Sequence, residues 1–258
     1  MSEHEAKLTT PDGAGPEEST APPVKEKRPR DPEKWVHREI DWFRKKRDKY
    51  AFRPGKAFFA LADPLVQSDR TLLGYDRLYV FWQAIRNLEH VPGDAAEIGA
   101  YRGGSAYFIA NALLAVTGSE VPVHVFDTFE GHPAAAISEQ DPFHTPGMFD
   151  STSYDGVKAF LSPFTQTKLY KGDVLGILPG LPETRYRLVH IDTDLYLPTK
   201  ACLDYFWPRL SSGGVVVLDD FASRRCPGVR AALAEFLEGR SDFQAWDLRT
   251  EQLLLTKR

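Results

Sequence analysis

The chain runs to 258 residues, 42% hydrophobic and 26% charged, which is enough apolar material for one packed core in a globular protein. Its net charge of −4 argues against a nucleic-acid surface as the main business, since phosphate neutralisation needs clustered Lys and Arg. No apolar run reaches the length of a membrane span, so neither nucleic acid nor membrane is expected among its partners.

Residues 1–32 are rich in Pro, charge and small polar side chains, and almost empty of large apolar ones. Such a segment buries too little surface to offset the entropy of ordering, and a disordered tail is expected there. No apolar stretch follows a basic start, so no signal peptide is read. Cys202 and Cys226 lie far apart in no ligand-like spacing, which fits reduced core thiols in a cytoplasmic protein.

From Glu33 to Tyr50 the residues Trp35, Val36, Ile40, Trp42 and Phe43 recur at helical spacing, after Asp31-Pro32 as cap and first-turn proline. Leu78, Phe81, Trp82, Ile85 and Leu88 predict a second amphipathic helix, stopped by Val91-Pro92-Gly93. Strand and helix then alternate. Residues 95–99, 121–127, 167–173, 186–192 and 213–220 read as strands, and 105–116, 198–210 and 227–239 as helices. This alternation predicts an α/β fold with a mostly parallel sheet and helices on both faces, whose ligands sit outside the carboxyl ends of the strands. Residues 128–156 form the one long irregular stretch of the core; Phe129, Phe143, Met148 and Phe149 within it favour a lid over a merely solvated loop.

The chemistry-bearing residues fall at those strand ends. The first strand-to-helix turn reads Glu97-Ile98-Gly99-Ala100-Tyr101-Arg102-Gly103-Gly104-Ser105. Its glycines allow close backbone approach, but the spacing is not that of a dinucleotide turn, and Glu97 disfavours a pyrophosphate. Asp127 ends the next strand, where doubly wound folds place an acid against ribose hydroxyls. A nucleoside lacking phosphate near the glycines is the ligand these two features suggest. In HIDTDLYLPT, residues 190–199, Asp192 closes one strand, and Asp219-Asp220 closes the following one. Three converging carboxylates push one another's pKa up unless a cation neutralises them, and all-oxygen ligation suits magnesium. Asp194 is open to three readings: second ligand, general base or helix cap. His190 reads as a satisfied core histidine, and His132 and His144 are open to either a structural or a functional reading.

Taken in order, GDAAEIGAYRGGSA, FDTFEGHP, HIDTDLYLPT, SSGGVVVLDDF and PGVRAALAEFL resemble the macrocin O-methyltransferase family of the TylF/MycF type, within the class I S-adenosylmethionine-dependent enzymes. The resemblance runs from about Arg77 to near the C-terminus. It implies a Rossmann-like, seven-stranded sheet with a final antiparallel hairpin, its last strands supplied by SDFQAWD and EQLLLTK. It also implies that Glu97, Gly99, Arg102, Gly103 and Ser105 surround the methionine part of S-adenosylmethionine, that Asp127 binds ribose, and that Asp173 lies near adenine. Asp192, Asp219 and Asp220 become Mg2+ ligands and Asp194 the general base. His132 and Pro198 depart from the family pattern, both on the substrate side.

The implied organisation is a tail (1–32), helices covering the active site (33–92) and a catalytic core (93–258) with the lid at 128–156. The implied reaction is metal-assisted methyl transfer to a hydroxyl of a small molecule, for which a sugar or a glycosylated natural product is one candidate, in a protein that is monomeric or a homo-oligomer. Two alternatives stand beside it. Asp192-Thr193-Asp194 is also the DxD pattern of metal-dependent glycosyltransferases, which the acidic turn, the paired Asp219-Asp220 and the lack of an evident basic set for a diphosphate oppose. The other is a methyltransferase-like domain that binds without turnover.

Overall fold

The computed structural model describes residues 55–258. The expected tail at 1–32 and the helix at 33–50 lie outside the described residues. Two helices open the described part, α1 (Lys56–Gln67) and α2 (Tyr75–Asn87). Phe58, Ala62, Leu65 and Val66 of α1 and Tyr75, Leu78, Phe81 and Ile85 of α2 recur on one face of each, and that face is buried. There follow β1 (Asp94–Ile98), α3 (Gly104–Thr117), β2 (Val123–Asp127), α4 (Tyr154–Phe160), β3 (Thr167–Lys171) and the single turn α5 (Val174–Ile177). The chain closes with β4 (Tyr186–Ile191), α6 (Tyr196–Arg209), β5 (Leu210–Leu218), α7 (Pro227–Leu237), β6 (Phe243–Asp247) and β7 (Leu253–Lys257).

The seven strands form one sheet in the order β3-β2-β1-β4-β5-β7-β6. β1 to β5 are parallel, and β7 runs antiparallel between β5 and β6. The expected mostly parallel, seven-stranded sheet with a final hairpin is therefore the observed one. Strand order reverses between β1 and β4, which makes the crevice past their carboxyl ends the place for a ligand.

Alternation along the strands separates two cores. Ala95, Val123, Val125, Leu188 and Val217 face α1, α2 and α3; Ala96, Ile98, Phe126, Val189, Ile191 and Leu218 face α6 and α7. Glu97, His190 and Asp219 follow the first parity, so the sheet places them beneath α2. β5 begins earlier than the sequence suggests, directly after α6, with a register shift against β4 around Tyr186 and Leu188. The glycine pair serves that irregularity: Gly213 has φ 78°, and a Cβ on Gly214 would meet Ser211 O at 2.8 Å.

The expected irregular stretch 128–156 is irregular up to Ser153 apart from a 3-10 turn at Ala134–Ala136, with α4 beginning inside it at Tyr154, and it is tightly tied. Asp141, 1% exposed, accepts hydrogen bonds from Ser138 N (2.9 Å) and Ser138 Oγ (2.7 Å) and from Tyr196 N at the start of α6 (2.9 Å). Gly228 of α7 leaves the space for it, since a Cβ there would lie 2.0 Å from Asp141 Oδ1. Among the described residues no helix is long and apolar enough to cross a membrane.

Candidate active site

A cavity of about 650 Å3 opens past β1 and β4, within the roughly 300–1,000 Å3 range of small-molecule sites. Gly99, Tyr101, Asp127 and Asp173 line one side, and Asp192, Asp194 and Asp220 the other. His132, His144, Met148 and Phe149 come from the long loop, and Leu72, Leu73 and Arg77 from the start of α2 and the residues before it.

The glycine turn is built by close approach. Gly99 has φ 93°, and a Cβ there would stand 1.8 Å from the carbonyl oxygen of Asp192, so only glycine lets the loops after β1 and β4 touch. Gly103, also left-handed, precedes α3. Thr152 Oγ1 donates to Tyr101 O, and Arg102 Nε donates to Ser151 O at 2.8 Å, which fastens the turn to the long loop. Of the turn residues singled out in the sequence, Gly99 reaches the cavity wall. Arg102, Gly103 and Ser105 shape the turn from behind, and Glu97 is fully buried below it.

Asp127 is held by its acceptor capacity. Oδ1 accepts from Phe129 N at 2.6 Å and Oδ2 from Tyr101 N at 2.7 Å. Burial raises its pKa, and these two N–H groups oppose the rise. A carboxylate carries about four lone-pair sites, more than these two short N–H bonds occupy, so capacity remains for a hydroxyl donor from the cavity. Asp173 caps α5 by accepting from Leu175 N at 3.0 Å and still lines the cavity.

The acids after β4 and β5 divide into two layers. Asp219, 1% exposed, is absent from the cavity wall. Its Oδ1 receives Arg77 Nη1 at 2.5 Å and its Oδ2 receives Gln252 Nε2 at 3.0 Å. Behind it His190 Nδ1 lies 3.0 Å from Glu97 Oε1, while Nε2 is 3.5 Å from Asp219 Oδ2, an ion-pair separation rather than a well-formed hydrogen bond. Burial alone would push His190 down; Asp219 and Glu97 outweigh it and hold the imidazolium up to about 10. For Asp219, burial works upward, but Arg77 and His190 keep it below its ordinary value. His190 is thus a core histidine, as expected, but not a fully satisfied one, since its buried Nε2 makes no formed hydrogen bond.

Three converging acids do not require an added cation for all their charge, because the chain itself supplies one in Arg77. Its Nη2 also lies 3.1 Å from Asp220 Oδ1 and 3.3 Å from Glu251 Oε2. Burial opposes its charge, yet Asp219, Asp220 and Asp192 raise its pKa above the ordinary guanidinium value. One guanidinium does not neutralise the whole set. Asp192 accepts no hydrogen bond among the described residues, and burial, then Asp219, raises its pKa well above the ordinary value. Asp194 is raised likewise, by burial, then by Asp220 and Asp192. Asp194 (φ 61°) and Asp220 (φ 53°) both sit in left-handed backbone, a conformation that concentrates at functional sites. Oxygen-only and carrying more negative charge than Arg77 neutralises, the donor set of Asp192, Asp219 and Asp220 fits a hard divalent cation, with Asp192 unpartnered and Asp219 and Asp220 sharing their oxygens with Arg77.

On the loop side, His132 Nε2 lies 3.2 Å from His144 Nδ1 and 3.6 Å from Asp194 Oδ2. His144 Nε2 is 3.2 Å from Arg225 O, and Cys226 Sγ is 3.5 Å from Asp194 Oδ1. Burial, reinforced by His144, holds His132 down to about 4, so its ring is neutral at physiological pH. Arg77, Gln252 and Cys226 were invisible as site residues in the sequence. Arg77 is one polar residue on an amphipathic helix, 142 positions from Asp219, and no local pattern links them. Arg224, Arg225 and Arg249 also reach the cavity, a basic set that the sequence did not bring together.

The model of the family described as "Macrocin-O-methyltransferase (TylF)" matches residues 33–244. A Streptomyces olivaceus protein, 8-demethyl-8-(2,3-dimethoxy-alpha-L-rhamnosyl)-tetracenomycin-C 4'-O-methyltransferase, is 31% identical over 167 residues, covering 60% of this chain and 64% of that protein. Mycinamicin III 3''-O-methyltransferase of Micromonospora griseorubida is 28% identical over 181 residues, 64% of this chain and 69% of that one. Among solved structures, the O-methyltransferase NovP superposes with a TM-score of 0.66 at 20% identity, covering 88% of this chain and 99% of that chain, a likeness of fold. With its model matched over 33–244, across the glycine turn and the acids of both strand ends, the chain belongs to the macrocin-O-methyltransferase (TylF) family of methyltransferases.

Proposed function

We propose that this protein is an S-adenosylmethionine-dependent, magnesium-dependent O-methyltransferase acting on a sugar hydroxyl of a glycosylated small molecule. The observation that carries the reading is the two-sided cavity: Gly99 and Asp127 line it on one side of the switch point, and Asp192, Asp194 and Asp220 on the other. The name of the Streptomyces olivaceus relative, whose substrate carries a rhamnosyl group, supports the acceptor class.

S-adenosylmethionine, when bound, supplies a methyl group on a positively charged sulfur. Asp127 accepts the ribose hydroxyls on its spare lone pairs, Asp173 borders the adenine, and Gly99 gives the methionine part room beside the backbone. Glu97, Arg102, Gly103 and Ser105 hold the turn to that shape. Asp192, Asp219 and Asp220 hold Mg2+, which supplies positive charge that makes a nearby hydroxyl more acidic. Arg77 bridges Asp219 and Asp220 and fixes the two carboxylates relative to each other. Asp194, its pKa raised by burial and by Asp220, is a stronger base than a solvated carboxylate and takes up the acceptor's proton as the oxygen takes the methyl group. Leu72, Leu73 and Arg77 cover the site of the 93–258 core, and the 128–156 lid excludes water with Phe143 and Phe149.

The test is calorimetric titration with S-adenosylmethionine and S-adenosylhomocysteine, with and without Mg2+, against a nucleotide-sugar control. Micromolar binding of both sulfur nucleosides, lost in Asp127→Ala, is expected. No binding, or preference for the nucleotide sugar, overturns the reading in favour of the DxD alternative.

A further inference from the structure

His132 and His144 face Asp194 in a group whose two histidines the methyl-transfer reading does not use. Two imidazole nitrogens face each other at 3.2 Å, and a carboxylate oxygen stands 3.6 Å from one of them, too long for a hydrogen bond. The three donor atoms all lie within 4.8 Å of one another. A tetrahedral ion with bonds of about 2.0–2.1 Å places its ligands roughly 3.3–3.4 Å apart, between the 3.2 Å and 3.6 Å separations found here. The tautomer is also set. His144 Nε2 lies against the carbonyl oxygen of Arg225, to which it donates, so Nδ1 carries the lone pair that points at His132. A backbone carbonyl on the far nitrogen is the usual support of a ligating histidine.

We propose that His132 Nε2, His144 Nδ1 and Asp194 Oδ2 bind a borderline transition ion of the Zn2+ class, with a fourth position open to the cavity. The nitrogen donors distinguish it from the oxygen-only set of Asp192, Asp219 and Asp220, which suits Mg2+. The Cys226 sulfur, 3.7 Å from His144 Nε2 and 3.5 Å from Asp194 Oδ1, makes the surroundings softer still. The acids Asp192 and Asp220 beside Asp194 add favourable charge for a dication. Three protein ligands and one open position leave room for a water or an acceptor oxygen. Ligation through Asp194 and proton uptake on it exclude one another, so methyl transfer falls as the ion binds; this consequence, unlike the binding itself, rests on Asp194 being the base.

The probe is Co2+ alone, titrated into chelator-treated full-length protein and read by visible absorption. The expected result is one equivalent with the intense bands of a tetrahedral ion, displaced by Zn2+ and unmoved by excess Mg2+. His132→Ala and His144→Ala each weaken it by more than about tenfold, while Asp192→Asn retains it. His132→Gln, checked for an unchanged unfolding temperature without metal, separates loss of a ligand from loss of the fold. A weak octahedral spectrum overturns the proposal, as does binding that survives in both alanine variants: the 3.2 Å contact is then a plain histidine–histidine hydrogen bond. Failure here leaves S-adenosylhomocysteine binding intact, whereas failure of the methyltransferase reading does not touch the cobalt spectrum.

Discussion

Arg77→Met removes the guanidinium and keeps the apolar stem, and its cost follows from what is left behind. Asp219, with a side chain fully shielded from solvent, loses a 2.5 Å partner, and Asp220, 18% exposed, loses one at 3.1 Å. The contact with half-exposed Glu251 contributes at most about 1 kcal/mol. Breaking a buried ion pair from one side costs about 3–5 kcal/mol. His190 and Gln252 still face Asp219, which sets the expectation at the lower end, about 3 kcal/mol. The double variant Arg77→Met/Asp219→Asn recovers most of the loss, since it removes the stranded charge. The pH dependence has a definite sign. The folded pKa of Asp219 is depressed below its ordinary 3.8, so its contribution is present above that value and lost as pH falls through the lower folded one. Urea unfolding followed by circular dichroism, free of divalent ions, is therefore expected to show the full gap between wild type and variant at pH 7 and a shrinking gap below about pH 4. A loss under about 1 kcal/mol at pH 7, or a gap that does not narrow in acid, refutes the account of Arg77 as the internal counter-ion.

Asp192→Asn has the opposite effect on stability: the acid's raised folded pKa means that stability is lost as pH rises through it, so the amide gains roughly 0.5–2 kcal/mol at pH 8 in metal-free thermal unfolding while methyl transfer is abolished. Gly99→Ala drives a methyl carbon toward Asp192 O at 1.8 Å on a left-handed backbone, and a loss of about 3 kcal/mol or more is expected, read as a drop in unfolding midpoint together with loss of S-adenosylhomocysteine binding. Asp141→Ala strands the N–H groups of Ser138 and Tyr196; a cost of about 1–3 kcal/mol and faster proteolysis within 128–156 are expected, against unchanged cleavage if the loop is held by other means.

The parts of this molecule that were legible in the sequence are those with a local cause. Short aliphatic runs ending at Ile98, Ile191 and Leu218 announced parallel strands, and the acids just past them fell at the ligand edge because a parallel sheet aligns its carboxyl ends. The helix α1 was missed because Pro64 stands inside it and breaks the expected run. The turn α5 was missed because 4 residues carry no periodicity. Side-chain destination was the harder matter. Asp219 and Asp220 are adjacent in sequence, yet one points under the sheet to Arg77, Gln252 and His190 and the other to the cavity. Glu97 reads as a ligand group from its place beside the glycines, but strand parity turns it to His190.

That division explains how so many acids are tolerated in one half-dry place. Glu97, His190, Asp219 and Arg77 form a buried series of alternating acidic and basic groups, fixed by β1, β4, β5 and α2. Its cations hold Asp219 ionised, and Asp219 in turn aims Arg77 at Asp220. The acids on the cavity side, Asp192 and Asp194, are left without such partners, and their pKa values rise in consequence. A fold selected for stability alone would neutralise them with amides. Leaving them unpaired costs stability at neutral pH and gains carboxylates that bind a cation or a proton when one arrives, which is the property a site for activating a hydroxyl requires.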